Sequence, residues 1–301
     1  MNATMDDTAI YNMVKDRYTA TALAPSQPSY GNAVSQAFGY SAEELACIPA
    51  DSNLGLSCGN PLALANLKDG EIVVDLGCGA GFDCFLAARK VGQAGKVFGV
   101  DMNEDMLTKA RRNASKADIS NVEFVSSRIT EIDLPDKVAD VIISNCVINL
   151  VPHTSKPLVF TEIHRLLKPG GRVAVSDLLA KRDFPPEIKN NPAFYCGCVS
   201  GASKREEYET WMREAGFEQI VVLKDEGVDL NVYTQMGEDG EKSNEKGGDG
   251  CCAPAKKEKS NGCCSSQTEV DGGVMDDLKS LKDIDLNEWA SSYKIFAVKG
   301  T

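Results

Sequence analysis

Between Ile72 and Asp177 the chain alternates short apolar runs with longer segments of helical period. Ile72–Leu76, Lys96–Asp101, Val122–Ser126, Val138–Ser144 and Arg172–Asp177 have the length and composition of strands, and helices are expected over Phe82–Val91, Glu104–Ala117 and Lys156–Leu167. Strands this apolar need cover on both faces, so the alternation predicts an α/β fold with a mostly parallel sheet wrapped by helices. Such sheets bind ligands at the carboxyl ends of their strands. Two segments fall there, the glycine loop Asp75-Leu76-Gly77-Cys78-Gly79-Ala80-Gly81 and the end of the run Val141-Ile142-Ile143-Ser144-Asn145-Cys146.

The flanks are less regular. Residues 1 to about 20 have a helical face of Ile10, Met13, Val14 and Tyr18, whereas residues 21–40, rich in Pro, Ser, Ala and Gln, are expected to be loop. Ser41 followed by Glu44 is a capping box for a short helix; a loop over Pro49–Asn60 and a helix over Pro61–Leu67 come next. After Asp177 come a proline-punctuated stretch (Pro185–Phe194), a helix over Lys204–Ala215 stopped by Gly216, and a strand over Gln219–Leu223. Residues 237–275 hold almost no large apolar side chain and are expected to be a flexible linker carrying the pairs Cys251-Cys252 and Cys263-Cys264. A short helix near Leu286–Trp289 and a strand over Lys294–Val298 close the chain, the strand either joining the sheet or packing on the 180–236 region. The expected organisation is a helical N-terminal cap (1–66), the sheet domain (67–179), a C-terminal α+β substrate region (180–236), the linker (237–275) and a helix-strand unit (276–301).

A net charge of −12 argues against nucleic acid or an anionic membrane surface as partner, since phosphate binding needs a cationic patch. No apolar run approaches the roughly 20 residues of a membrane helix, and the N-terminus has no secretory pattern, so the cytosol is the expected compartment. There the 11 cysteines are expected to be thiols, ligands or redox groups rather than a disulfide framework.

The loop glycines allow a sharp turn and a close approach to a ligand. A nicotinamide dinucleotide competes on the loop alone, but three details favour S-adenosylmethionine. Asp75 precedes the first glycine and is placed to hold a ligand ammonium. Asp101 ends the second strand, placed to accept from both ribose hydroxyls. Leu166-Leu167-Lys168-Pro169-Gly170-Gly171 resembles the late signature of class I methyltransferases, whose Rossmann-like sheet carries the same Asp-x-Gly-x-Gly loop. Met102 and Ile129 would flank the adenine, although either is equally a core residue, and Asn145 completes the expected cofactor set with Asp75, Gly77, Gly79 and Asp101.

Cys78 and Cys84 have the character of packing residues, and Cys47 has no evident role. Cys58, Cys146 and Cys198 sit in loops far apart in sequence, without CxxC spacing, and His153 and His164 form no HExxH pattern. Thiolates converging from separate loops suit a soft, thiophilic centre. Together, Cys58-Gly59-Asn60-Pro61, the glycine loop continued through Phe82-Asp83, Gly99-Val100-Asp101-Met102, Ile143 to Leu150, and Cys198-Val199-Ser200-Gly201-Ala202 resemble the motif series of the arsenite methyltransferases, from about residue 39 to 235.

That resemblance implies S-adenosylmethionine as donor, trivalent arsenic held by Cys58, Cys146 and Cys198 as catalytic ligands, and thioredoxin or glutathione as reductant. Trivalent arsenic carries a lone pair and is itself the nucleophile, so no general base is required; the task left to the protein is proximity and orientation. A shared arsenic needs sulfurs about 3.5–5 Å apart, with loop movement allowed on binding. Many members of the family have a further cysteine after the Arg-Tyr of the first helix, but here Arg17-Tyr18 is followed by Thr19 to Tyr40 without one. Inorganic arsenite is therefore expected to be handled less well than a methylated form. The tail pairs either pass arsenic on or are incidental. Rival readings are a class I methyltransferase acting on a quinone or sterol, and a thiol-rich protein that only sequesters arsenic. The expected state is a monomer.

Overall fold

The protein is described by a computed structural model covering residues 6–231 and 285–301. Four helices precede the sheet: α1 (Asp7–Leu23), α2 (Pro28–Ala37), α3 (Ala42–Ala46) and α4 (Pro61–Ala65). α3 starts at the predicted capping box, where Glu44 N donates to Ser41 Oγ and Ser41 N donates to the Glu44 carboxylate, both at 3.1 Å. α2 corrects the loop expected over 21–40. Its composition is poor for a helix, but burial holds it: Val34 and Ser35 are fully buried, and Ser35 Oγ donates to Asn53 Oδ1 at 3.1 Å.

The predicted alternation follows as β1 (Ile72–Leu76), α5 (Phe82–Val91), β2 (Lys96–Asp101), α6 (Glu104–Lys116), β3 (Val122–Ser126), β4 (Ala139–Asn145), α7 (Lys156–Leu166) and β5 (Leu167–Ala180). Then come α8 (Pro186–Lys189), α9 (Pro192–Cys196), α10 (Arg205–Glu214), β6 (Phe217–Lys224) and β7 (Ala290–Lys299). The seven strands form one sheet in the order β3-β2-β1-β4-β5-β7-β6, with β1 to β5 parallel and β7 antiparallel to both its neighbours. The closing strand thus does both things left open by the sequence, entering the sheet and carrying β6 on its outer side. β5 outruns the expected Arg172–Asp177 at both ends: Leu167 pairs with Ala139 of β4, and β7 pairs with β5 from Arg172 to Ala180. The linker expected over 237–275 lies outside the described residues.

Successive strand residues feed opposite faces. Val74 and Leu76 of β1 pack with Ile142, Phe160, Ile163 and Tyr208, under α7 and α10. Val73 packs with Val97, Val141, Leu86 and Ala87, under α5. A third apolar cluster caps the carboxyl ends of the strands and includes Val14 of α1, Phe194 of α9, Cys58, Cys146 and Cys198. β1 lies between β2 and β4, where the strand order reverses. The crevice at this switch point therefore opens between the loop after Leu76 and the loop after Asn145. Among the described residues, no helix is long and apolar enough to cross a membrane.

Candidate active site

The crevice holds a cavity lined by Asp75, Gly77, Gly79 and Asp101 on one side and by Asn145 and Cys146 on the other, with Tyr11, Val14 and Tyr18 of α1 over it. Gly77 has φ +69°, and a Cβ there would run into the Val147 side chain, so the turn requires glycine. Gly79 has φ +51°, and nothing but Met106 Sδ, at 4.0 Å, lies near its missing Cβ. Asp101 ties the loop to β2, accepting from Gly79 N and Asn103 N at 2.9 Å each. Met102 and Ile129 both line the cavity, and both also belong to apolar clusters.

Three carboxylates crowd this floor. Burial, then the charge of Asp83, pushes Asp75 well above the usual carboxylate range. Burial raises Asp83 to about 6 and lifts Asp101 as well. A cationic ligand relieves such a cluster, whereas a pyrophosphate would add to its repulsion. S-adenosylmethionine carries a sulfonium and an ammonium, so the carboxylates present fit it.

The three predicted cysteines come together. Cys58 precedes α4, Cys146 follows β4 and Cys198 follows α9, and their sulfurs all lie within 4.8 Å of one another. All three are buried. Cys58 and Cys146 are paired as a disulfide, with Cα atoms 5.5 Å apart, where the expected compartment had suggested thiols. Cys198 Sγ donates to Cys146 O at 2.8 Å. Burial, with the charge of Asp177 next in weight, pushes the Cys198 thiol well above its ordinary value. Cys146 has φ +59° and Cys198 φ +64°. Each left-handed non-glycine residue costs about 1–3 kcal/mol, a strain that clusters at functional sites.

Two features were not legible in sequence: the contacts that Asn145, expected only at the cofactor, makes to the Cys58 loop, and a buried network. Asn145 does line the cavity, but its amide also bonds the Cys58 loop, with Tyr40 and Asp83 behind it. Under the Cys198 loop lies a buried network. Lys156 Nζ donates to Gly201 O and, at 2.9 Å, to Ser203 Oγ. Asn149 Nδ2 donates to Asp177 Oδ1 at 2.7 Å, and Tyr208 Oη to Asp177 Oδ2 at 3.0 Å. Burial raises Asp177 to about 7 and lowers Lys156 to about 8. One signal could have exposed Lys156: a cation in the first turn of a helix opposes the helix dipole and so needs another reason to be there. Cys78 and Cys84 pack over Gly99, whose missing Cβ would lie 3.0 and 2.7 Å from their sulfurs. Neither histidine lines the cavity.

A family model described as a methyltransferase domain matches residues 67–216. An arsenite methyltransferase of Halobacterium salinarum is 46% identical over 197 residues, 65% of this chain and 50% of that one. The solved structure of an arsenic (III) S-adenosylmethionine methyltransferase from Chlamydomonas reinhardtii is 25% identical, with a TM-score of 0.52, covering 92% of this chain and 75% of that one. The chain carries a methyltransferase domain and is similar in sequence and in fold to arsenite methyltransferases. It spans about half the length of the curated relatives it matches. A demethylmenaquinone methyltransferase of Listeria monocytogenes is 32% identical over 116 residues, 38% of this chain, in line with a shared class I fold.

Proposed function

We propose that this protein methylates trivalent arsenic with S-adenosylmethionine as donor, arsenite being held by Cys58, Cys146 and Cys198 and a methylated arsenite, with only two exchangeable hydroxyls, by Cys146 and Cys198. The reading is carried by one observation: three buried sulfurs converge within 4.8 Å at the switch point, beside an acidic crevice. Asp75, Gly77, Gly79 and Asp101 would hold the cofactor, with Met102 and Ile129 beside its adenine and Asn145 at its edge. S-adenosylmethionine, when bound, supplies an electrophilic methyl group. The chain's own residues do the rest.

Two electrons and two protons from a thiol reductant, glutathione or thioredoxin, first open the Cys58–Cys146 disulfide. Each arsenic hydroxyl then leaves as water, taking the proton of the thiol that replaces it. The exchange therefore needs no base, in keeping with a Cys198 thiol that burial pushes well above its ordinary value. Bound to sulfur, arsenic keeps the lone pair that acts as nucleophile, and the apolar cluster around the thiols excludes water. A site that works with reduced thiols suits a reducing cytoplasm and a role in arsenic detoxification.

The test is to incubate the purified protein with arsenite, S-adenosylmethionine and a thiol reductant, and to separate the arsenic species. Methylated arsenic is expected from the wild type and none from Cys146→Ser or Cys198→Ser. Arsenite binding without methylated product would point instead to sequestration. Undiminished methyl transfer by Cys146→Ser would return the protein to the quinone class.

A further inference from the structure

Asn145 is the last residue of β4 and the backbone neighbour of Cys146. Its side chain reaches the other half of the disulfide. Oδ1 accepts from Cys58 N at 3.1 Å, and Nδ2 donates to Gly59 O at 3.0 Å. The same Nδ2 lies 3.0 Å from Asp83 Oδ2 and 2.9 Å from Tyr40 Oη. Tyr40 in turn donates to Asp83 Oδ1 at 2.6 Å. Asp83 is in the first turn of α5, and both it and Tyr40 are buried. From the far side, Ser292 Oγ of β7 donates to Cys58 O at 2.7 Å, and Gly59 is pressed against Ser176, whose Cβ would be 2.7 Å from a Cβ on the glycine.

We propose that Asn145, backed by Asp83 and Tyr40, is a positioning unit that sets the spacing between the Cys58 and Cys146 sulfurs. One residue is joined to both thiol-bearing backbones, to Cys146 covalently and to Cys58 through its amide. The carboxylate of Asp83 fixes which way that amide faces: a donor must point at Asp83 and Gly59, so the acceptor is left for Cys58 N. Tyr40 holds Asp83 in turn. Two thiols held this way act as a chelate whose ends need no further ordering on closing. The consequence for arsenic rests on the function proposed above, but the spacing itself does not.

The test uses full-length Asn145→Ser and Tyr40→Phe variants and two readouts. The first is the equilibrium with glutathione, in which the two protein thiols become a disulfide as oxidised glutathione becomes two reduced molecules. The Cys58–Cys146 bond is assigned by alkylation and peptide mass. Its equilibrium constant is expected to fall about three- to tenfold in Tyr40→Phe and further in Asn145→Ser, each lost hydrogen bond being worth a factor in that range. The second is X-ray absorption at arsenic, where the sulfur count is expected to drop from three in the wild type to two in Asn145→Ser. If Asn145→Ser does not fold, Tyr40→Phe decides through the equilibrium alone. An unchanged equilibrium in the folded variants overturns the proposal even where the wild type binds arsenic through three sulfurs. A lowered equilibrium in a protein whose wild type binds no arsenite upholds the positioning unit and removes the proposed function instead.

Discussion

Tyr208→Phe isolates the buried network beneath the Cys198 loop. The change removes one oxygen from a fully buried ring that also packs edge-on against Phe160, at 5.3 Å between centroids. The apolar contact survives and the hydrogen bonding does not: the single hydroxyl proton shared by Asp177 Oδ2 at 3.0 Å and Asn149 Oδ1 at 3.2 Å is gone. The cost depends on the charge of Asp177. Burial raises this carboxyl from 3.8 to about 7, against the pull of Tyr208, Lys156 and the Leu178 N–H. A raised carboxyl binds its proton more tightly in the folded state. That contribution to stability is present at low pH and is lost as pH rises between about 4 and 7. Tyr208 limits the loss by donating to the ionised form. At pH 6 Asp177 is mostly neutral, and the variant forfeits a neutral hydrogen bond, about 1 kcal/mol. At pH 8.5 it is ionised, and the loss is of a bond to a charge, about 2–3 kcal/mol. At about 2 °C per kcal/mol for a chain of this size, Tm should fall by about 2 °C at pH 6 and about 4–6 °C at pH 8.5. Differential scanning calorimetry of both proteins at the two pH values reads this directly. Equal falls at both would refute the claim that Tyr208 holds the charge of Asp177, and a fall below about 1 °C at pH 8.5 would refute the network itself.

Two glycine substitutions separate the arsenic side of the site from the cofactor side. In Gly201→Ala the new methyl meets the carbonyl oxygen of Asn149, which is backbone and cannot swing away, so the loop carrying Cys198 must shift. Turnover of arsenite should drop about 10²-fold with cofactor affinity unchanged, and full activity would show that the loop tolerates displacement. In Gly77→Ala the φ of +69° and the Val147 side chain both oppose the methyl. Calorimetric titration should find S-adenosylhomocysteine bound about tenfold more weakly or worse, and wild-type affinity would mean that the turn does not shape the cofactor site.

The sheet was legible because its strands are apolar on both faces and its helices keep their period, and neither signal depends on distant neighbours. α2 was not, since Gly31, Ser35 and two further polar residues weaken its propensity and only the pocket around Asn53 makes it a helix. The insertion of β7 between β5 and β6 was beyond local signals for the same reason: Ala290–Lys299 has a strand's composition, but nothing in it names its partners. The thiols divide similarly. Cys58, Cys146 and Cys198 were recognisable by type and by resemblance, whereas what brings them together is a set of side chains that look ordinary in sequence. Asn145 has the look of a cofactor ligand until its bonds to Cys58, Gly59 and Asp83 are counted. Lys156 has the look of an exposed helix-start lysine, yet it is 1% exposed and holds the segment after Cys198. A second property was hidden in the backbone. Cys146 and Cys198 both adopt left-handed conformations that sequence would reserve for glycine, at about 1–3 kcal/mol each. Glycine in either place would relieve that strain and remove a sulfur. The networks around Asn145 and Lys156 offset the strain on two sides, so the stability of these loops and the convergence of the thiols have the same physical cause.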